Sequence, residues 1–153
     1  MPHAVRSRLL SLALLAGFAA ALGGTALGQI FTPPKGPDPN ERDVSVVRQD
    51  QSDCQNGNVS DADPSLVGGR VYVVRGSDAT THVKVGITAK PNTTYHFFLK
   101  CVRILGDIKT WDEGEGYGEF SFTNAESGNV FAFDMYPEGA PSGNKYQSVQ
   151  VKY

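Results

Sequence analysis

Histidine, cysteine, methionine and tryptophan are all scarce in this chain of 153 residues, which has 3, 2, 2 and 1 of them. Two cysteines exclude a disulfide-dense miniprotein, which replaces a hydrophobic core by several bridges. Charge of one sign is missing too. Fourteen basic residues face 16 acidic ones for a formal net charge of −2, a balance that excludes a nucleic-acid binder held by phosphate contacts. The chain also lacks G-x-S-x-G, H-E-x-x-H, a phosphate-binding glycine loop ending in Lys-Ser/Thr and a dinucleotide fingerprint. No catalytic residue, metal ligand set or cofactor is therefore named. Aromatic residues, by contrast, make up 10% of the chain, too many for a disordered polymer.

The one long apolar run, from Leu9 to Leu22, follows Arg6 and Arg8 and leads to the small-residue pattern Ala26-Leu27-Gly28. Residues 1–28 read as a secretory signal peptide. The run is shorter than the roughly 20 apolar residues a bilayer core needs, so the mature chain is expected to carry no membrane span. No cysteine follows the cleavage point, which argues against a bacterial lipid anchor. The expected product is secreted or periplasmic and starts near Gln29. Residues 29–42, with Pro33, Pro34, Pro37 and Pro39, read as an extended leader. Residues 43–153 are left for the folded domain.

In that domain β-like runs recur between turn clusters, at 43–48, 70–75, 80–88, 94–103, 107–111, 117–123, 129–136 and 146–153. No apolar stripe of helical period exceeds a turn or so. Short strands with short connections predict an all-β fold, an antiparallel β-sandwich of seven to eight strands. Val83, Val85 and Ile87 alternate with polar residues, as do Tyr95, Phe97, Leu99 and Cys101, and a hairpin pairing residue 88 with 94 buries both sets on one face. That register puts Cys101 on the core side. It also sets His82 opposite Lys100 and His96 opposite Gly86, about 13 Å apart at strand rise and too far to share a metal. A second hairpin is expected from 107–111 to 117–123 around the acidic loop Asp112–Gly116, with Phe120 and Phe122 facing inward.

Export changes what two cysteines mean. In an oxidising compartment Cys54 and Cys101 are expected to form one disulfide, and closing a loop of about 47 residues stabilises by about 3–4 kcal/mol in the chain-entropy model. A thiolate metal or redox site is disfavoured, because there is no C-x-x-C and no histidine at ligand spacing.

The alternation at Val83, Val85 and Ile87, the turn Pro91-Asn92-Thr93-Thr94-Tyr95 and the run Gly114-x-Gly116-x-Gly118-x-Phe120-x-Phe122 together resemble exported bacterial domains of the immunoglobulin-like or fibronectin-type-III-like kind. The resemblance covers about residues 70–136 and rests on turn and core positions, so it implies a fold and carries over no active-site residue. Trp111 departs from the pattern, which has a small polar residue there.

Two aromatic residues, Trp111 and Tyr117, flank the acidic loop with Asp112, Glu113 and Glu115. Rings beside carboxylates suit stacking on sugar rings or anchoring a protein. The reading of the sequence is thus a secreted, non-catalytic binding module for a glycan or protein at a cell surface. The alternative is a structural subunit that self-associates through the leader or an edge strand, and a small hydrolase is the third class. The acidic loop and the group Asp50, Asp53, Asp61 and Asp63 carry enough carboxylates to suggest calcium, but neither segment follows a known calcium loop.

Overall fold

The computed structural model describes residues 38–50 and 53–153. The signal peptide assigned to residues 1–28, and residues 29–37 of the leader, lie outside the described residues. The strands are β1 (Glu41–Val47), β2 (Val67–Arg75), β3 (Thr80–Thr88), β4 (Thr94–Leu99), β5 (Arg103–Lys109), β6 (Glu115–Thr123), β7 (Val130–Phe131), β8 (Phe133–Tyr136), β9 (Tyr146–Ser148) and β10 (Val151–Lys152). A short 3-10 turn (Pro64–Leu66) precedes β2, and a single helical turn, α1 (Asn124–Ser127), follows β6. The strands begin at Glu41, so Glu41 and Arg42 of the expected leader take part in β1.

Eight strands form one antiparallel sheet in the order β5-β4-β8-β9-β1-β2-β3-β6, and β10 pairs with β7 in a small second sheet. The expected all-β antiparallel architecture is what the chain adopts. The two outermost strands approach one another through a bridge between Thr110 and Gly116, so the sheet folds over on itself and nearly closes as a barrel. β1 is the strand that makes the sheet continuous, pairing with β2 on one side and with β9 on the other.

The core follows from the period-2 alternation. Val71 and Val73 of β2, Val83, Val85 and Ile87 of β3, and Tyr95, Phe97 and Leu99 of β4 are all buried, with Ile108, Phe122, Phe131, Phe133 and Met135. Phe97 stacks on Phe120 and on Phe133, each at 5.1 Å between ring centroids. Offset ring pairs of this kind add about 0.5–1.5 kcal/mol beyond the area they bury. Phe122 lies fully inward as expected, and Phe120 is half-buried against the same cluster.

The hairpin expected between residues 80–88 and 94–103 does not form. β3 pairs with β2 and β6, and β4 with β5 and β8. The Lys90–Thr93 segment, with Asn92 at φ 50, is an arch between the two halves of the sheet. Alternation specifies the buried face of each strand, and an arch turns both odd-numbered sets inward as well as a hairpin does. The true tight turn comes at Lys100–Val102, where the Val102 N–H donates to the Leu99 carbonyl at 3.0 Å. Cys101 occupies that turn at φ 58, exposed, so it is not on the core side. The disulfide with Cys54 is nevertheless present, with Cα atoms 5.5 Å apart, as a staple on the surface.

Correct neighbours also replace those expected for the histidines. His82 lies between Val74 and Ser121, and His96 between Asp107 and Tyr136. His96 Nδ1 is 2.7 Å from Asp107 and Nε2 3.3 Å from Glu138. The hydrogen bond to Asp107 raises the imidazole above its ordinary pKa, reinforced by Glu138 and opposed by partial desolvation.

Candidate functional site: an aromatic groove with a glycine floor

The loop that carries Trp111 is shaped by backbone chemistry. The Gly114 N–H donates to the Trp111 carbonyl at 2.9 Å, and the Trp111 N–H donates to the Glu115 carbonyl at 2.8 Å. This is a tight three-residue connection with a glycine bulge. Gly114 sits at φ +84, and a Cβ there would lie 2.3 Å from the Ala89 carbonyl oxygen. The Asn92 N–H also donates to the Trp111 carbonyl, at 3.2 Å, and the buried Thr110 hydroxyl donates to the Lys90 carbonyl at 2.7 Å. The arch between β3 and β4 is thereby stitched to the Trp111 loop.

Against that scaffold Trp111 is 56% exposed and Tyr117 is 51% exposed. Exposed rings scattered singly need no explanation, but exposed rings grouped on one surface mark a place for a partner. Both line one open groove of about 330 Å³, whose other walls are Gly69, Gly86, Ile87, Thr88, Glu115 and Gly116. In the sheet, Gly86 pairs with Tyr117 on one side and with Arg70 on the other. Nothing lies within 4 Å of where a Gly86 Cβ would stand. The missing side chain leaves the hollow beside the Tyr117 ring.

Tyr117 is held in place. Its hydroxyl donates to a Glu119 carboxylate oxygen, and Glu119 is 3.4 Å from the Lys84 ammonium. The Tyr117 bond and then the Lys84 charge hold the Glu119 carboxyl below its ordinary value, while the Tyr117 phenol is raised by the carboxylate it bonds. A fixed ring loses little entropy when a ligand lands on it.

The structure brings Trp111, Tyr117 and Glu115 together in this groove. Asp112 and Glu113 are exposed at the tip of the loop and do not line it. The other acids considered for calcium have structural partners. Asp53 accepts the N–H groups of Gln55 and Gly57, Asp61 accepts the Ser45 hydroxyl at 2.7 Å, Asp63 caps the 3-10 turn through Ser65, and Asp50 lies 3.6 Å from the Lys145 ammonium. Among the described residues no group of three or more histidine, cysteine or acidic side chains is placed to hold a metal ion. Sequence reasoning passed over the floor of the groove, Gly86 above all. Its signal was available: a glycine in mid-strand weakens the strand, and marks a place where a ligand or another backbone comes close.

No model of a known protein family matches the sequence, and no curated protein matches it either. Among the described residues no helix is long and apolar enough to cross a membrane.

Proposed function

We propose that this is an exported, non-catalytic binding module that holds a polysaccharide along the groove between Trp111 and Tyr117. The observation that carries the reading is the pairing of two exposed, backbone-anchored or hydrogen-bonded rings with a hollow over Gly86 and Gly116. The apolar faces of sugar rings fit against an indole and a phenol, and their hydroxyls find acceptors at Glu115 and Thr88. An open groove suits a chain of rings better than a single small molecule, which pockets enclose. The lining has one carboxylate and no histidine, which supports binding rather than bond cleavage.

The signal-like N-terminus and the surface disulfide support export. The strand order supports the immunoglobulin-like likeness at the level of topology: β2-β3-β6 and β5-β4-β8-β9 are the two halves of a Greek-key sandwich, and β1 is an added strand between them. Self-association through an edge has less support. β5 is an outermost strand with Ile104 exposed, but a register shift opposite Phe97/Phe98 and the charges of Arg103, Asp107 and Lys109 guard it.

Trp111 is the only tryptophan, so its emission reports on the groove directly. Adding soluble glucan, xylan or peptidoglycan fragments to the purified protein should shift that emission to shorter wavelength. Gly86→Phe, which fills the hollow where a side chain meets nothing, should fold with a thermal midpoint no lower than that of wild type and lose the shift. Absence of any shift with all three polymers, with no retention on their insoluble forms, would overturn the proposal.

A further inference from the structure

Where the loop before the 3-10 turn and the turn after β4 meet β8, three polar side chains come together inside the protein. Asn56 is fully buried. The Lys100 side chain is 9% exposed and that of Asp134 15%. Lys100 Nζ is 2.5 Å from Asn56 Oδ1 and 3.4 Å from Asp134 Oδ1. That Asp134 oxygen is buried and accepts no hydrogen bond. The other end of the carboxamide is fixed as well: Asn56 Nδ2 donates to the Ser148 carbonyl at 2.8 Å and to the Phe133 carbonyl at 3.3 Å.

Buried ammonium, carboxamide and carboxylate groups are costly to keep unless every partner is in place. The chain commits local structure to assembling these three. Asp53 folds the loop by accepting the Gln55 and Gly57 N–H groups, at 2.8 and 3.1 Å, and Asn56 turns inward at φ 55. Lys100 enters from the β4–β5 turn, and the Cys54–Cys101 disulfide ties the two segments at the residue after Lys100 and two residues before Asn56. A nitrogen nucleophile is thus pressed against an amide carbonyl beside a buried proton acceptor, in a site that excludes water.

We infer that Lys100 and Asn56 are joined by an intramolecular amide bond, with Asp134 as the group that carries the proton. The step balances without an oxidant or any co-reactant. The Lys100 ammonium gives a proton to the Asp134 carboxylate, and the neutral amine attacks Asn56 Cγ. The Cγ–Nδ2 bond breaks as the Nζ–Cγ bond forms, and the two protons lost from Nζ leave with Nδ2 as ammonium, the one held on Asp134 included. Burial raises the Asp134 carboxyl above its ordinary value, against the opposing effect of the Lys100 charge, which makes it able to take that proton and return it. The Ser148 and Phe133 carbonyls receive the departing nitrogen. Effective concentrations in such preassembled pairs are what makes amide exchange accessible without an external catalyst.

The test is mass spectrometry of the full chain after complete reduction, alkylation and trypsin digestion. Peptide 49–70, which holds Asn56, should remain joined to peptide 85–103, in which an acylated Lys100 resists cleavage. The joined species should weigh one ammonia less than its parts. Lys100→Arg keeps the charge and should give separate peptides. Asp134→Asn, close in size, should slow joining by about a hundredfold or more, the usual weight of a proton-transfer group. Separate wild-type peptides at full mass would overturn the inference. So would an ammonia loss confined to the Asn56-Gly57 peptide, which signals ring closure onto the backbone rather than onto Lys100. Joining at the wild-type rate in Asp134→Asn would overturn the role of that carboxylate.

Discussion

Glu126 shows how much one half-buried side chain can organise. Its carboxylate accepts the Thr123 N–H at 2.8 Å and the Thr123 hydroxyl at 3.0 Å, and receives the Arg103 Nε at 2.6 Å. These bonds, the Arg103 contact first, hold the carboxyl down at about 2. A carboxyl depressed by folding stabilises the native state fully above its unfolded pKa, and that stabilisation is lost as pH falls through its folded value. Between the ordinary glutamate range and about pH 2, wild-type stability should therefore decline more steeply than that of Glu126→Gln, in which Asp53, Asp63 and Glu119 still supply a shallower slope, as followed by urea denaturation at a series of pH values. Some residues of this kind are legible without a structure. Trp111 and Tyr117 stand out because large rings flank a polar loop, and the cysteine pair because a chain with two cysteines offers each a single partner. Lys100, Asn56 and Asp134 do not stand out. They are ordinary polar residues in separate turns and a strand, and only the fold reveals that all three point to one place.

At the scale of elements, Gly114 decides where Trp111 goes. Gly114→Ala would place an L side chain at φ +84 with its Cβ 2.3 Å from the Ala89 carbonyl oxygen. A left-handed conformation alone costs about 1–2 kcal/mol, and the clash adds to it. The variant should melt lower than wild type in a calorimetric scan, with the Trp111 emission changed before any ligand is added. The strands themselves were legible from alternation, since Val83, Val85, Ile87, Tyr95, Phe97 and Leu99 are buried where the pattern puts them. Their partners were not. Period-2 patterning is identical for a strand that turns back on its predecessor and for one that crosses to the facing layer, and the deciding contacts, such as Thr110 with Lys90, are long-range. The helical turn at Asn124–Ser127 is too short to leave a periodic trace.

For the whole molecule, the disulfide sets the balance between the folded and unfolded chain. It closes 47 residues, and the chain-entropy model assigns such a loop about 3–4 kcal/mol. In a Lys100→Arg background, which lacks the Lys100–Asn56 amide across nearly the same loop, Cys54→Ser/Cys101→Ser should lose about that much stability in guanidinium denaturation while keeping its strand content by circular dichroism. A loss far larger would mean that the surface staple also orders the core. This separation is expected because both cysteines are exposed and the hydrophobic cluster does not include them.

The position of β1 bears on how the chain acquires this shape. Its pairing with β2 is nearly local, but Val46 also pairs with Ser148 and Val47 with Gln147, so one side of the first strand waits for almost the last. Loop-closure entropy must be overcome before that contact returns anything, which places the domain among topologies that fold over milliseconds to seconds rather than microseconds. Until β9 arrives, β1 offers an open row of backbone donors and acceptors. A chain synthesised from its N-terminus meets that interval every time it is made.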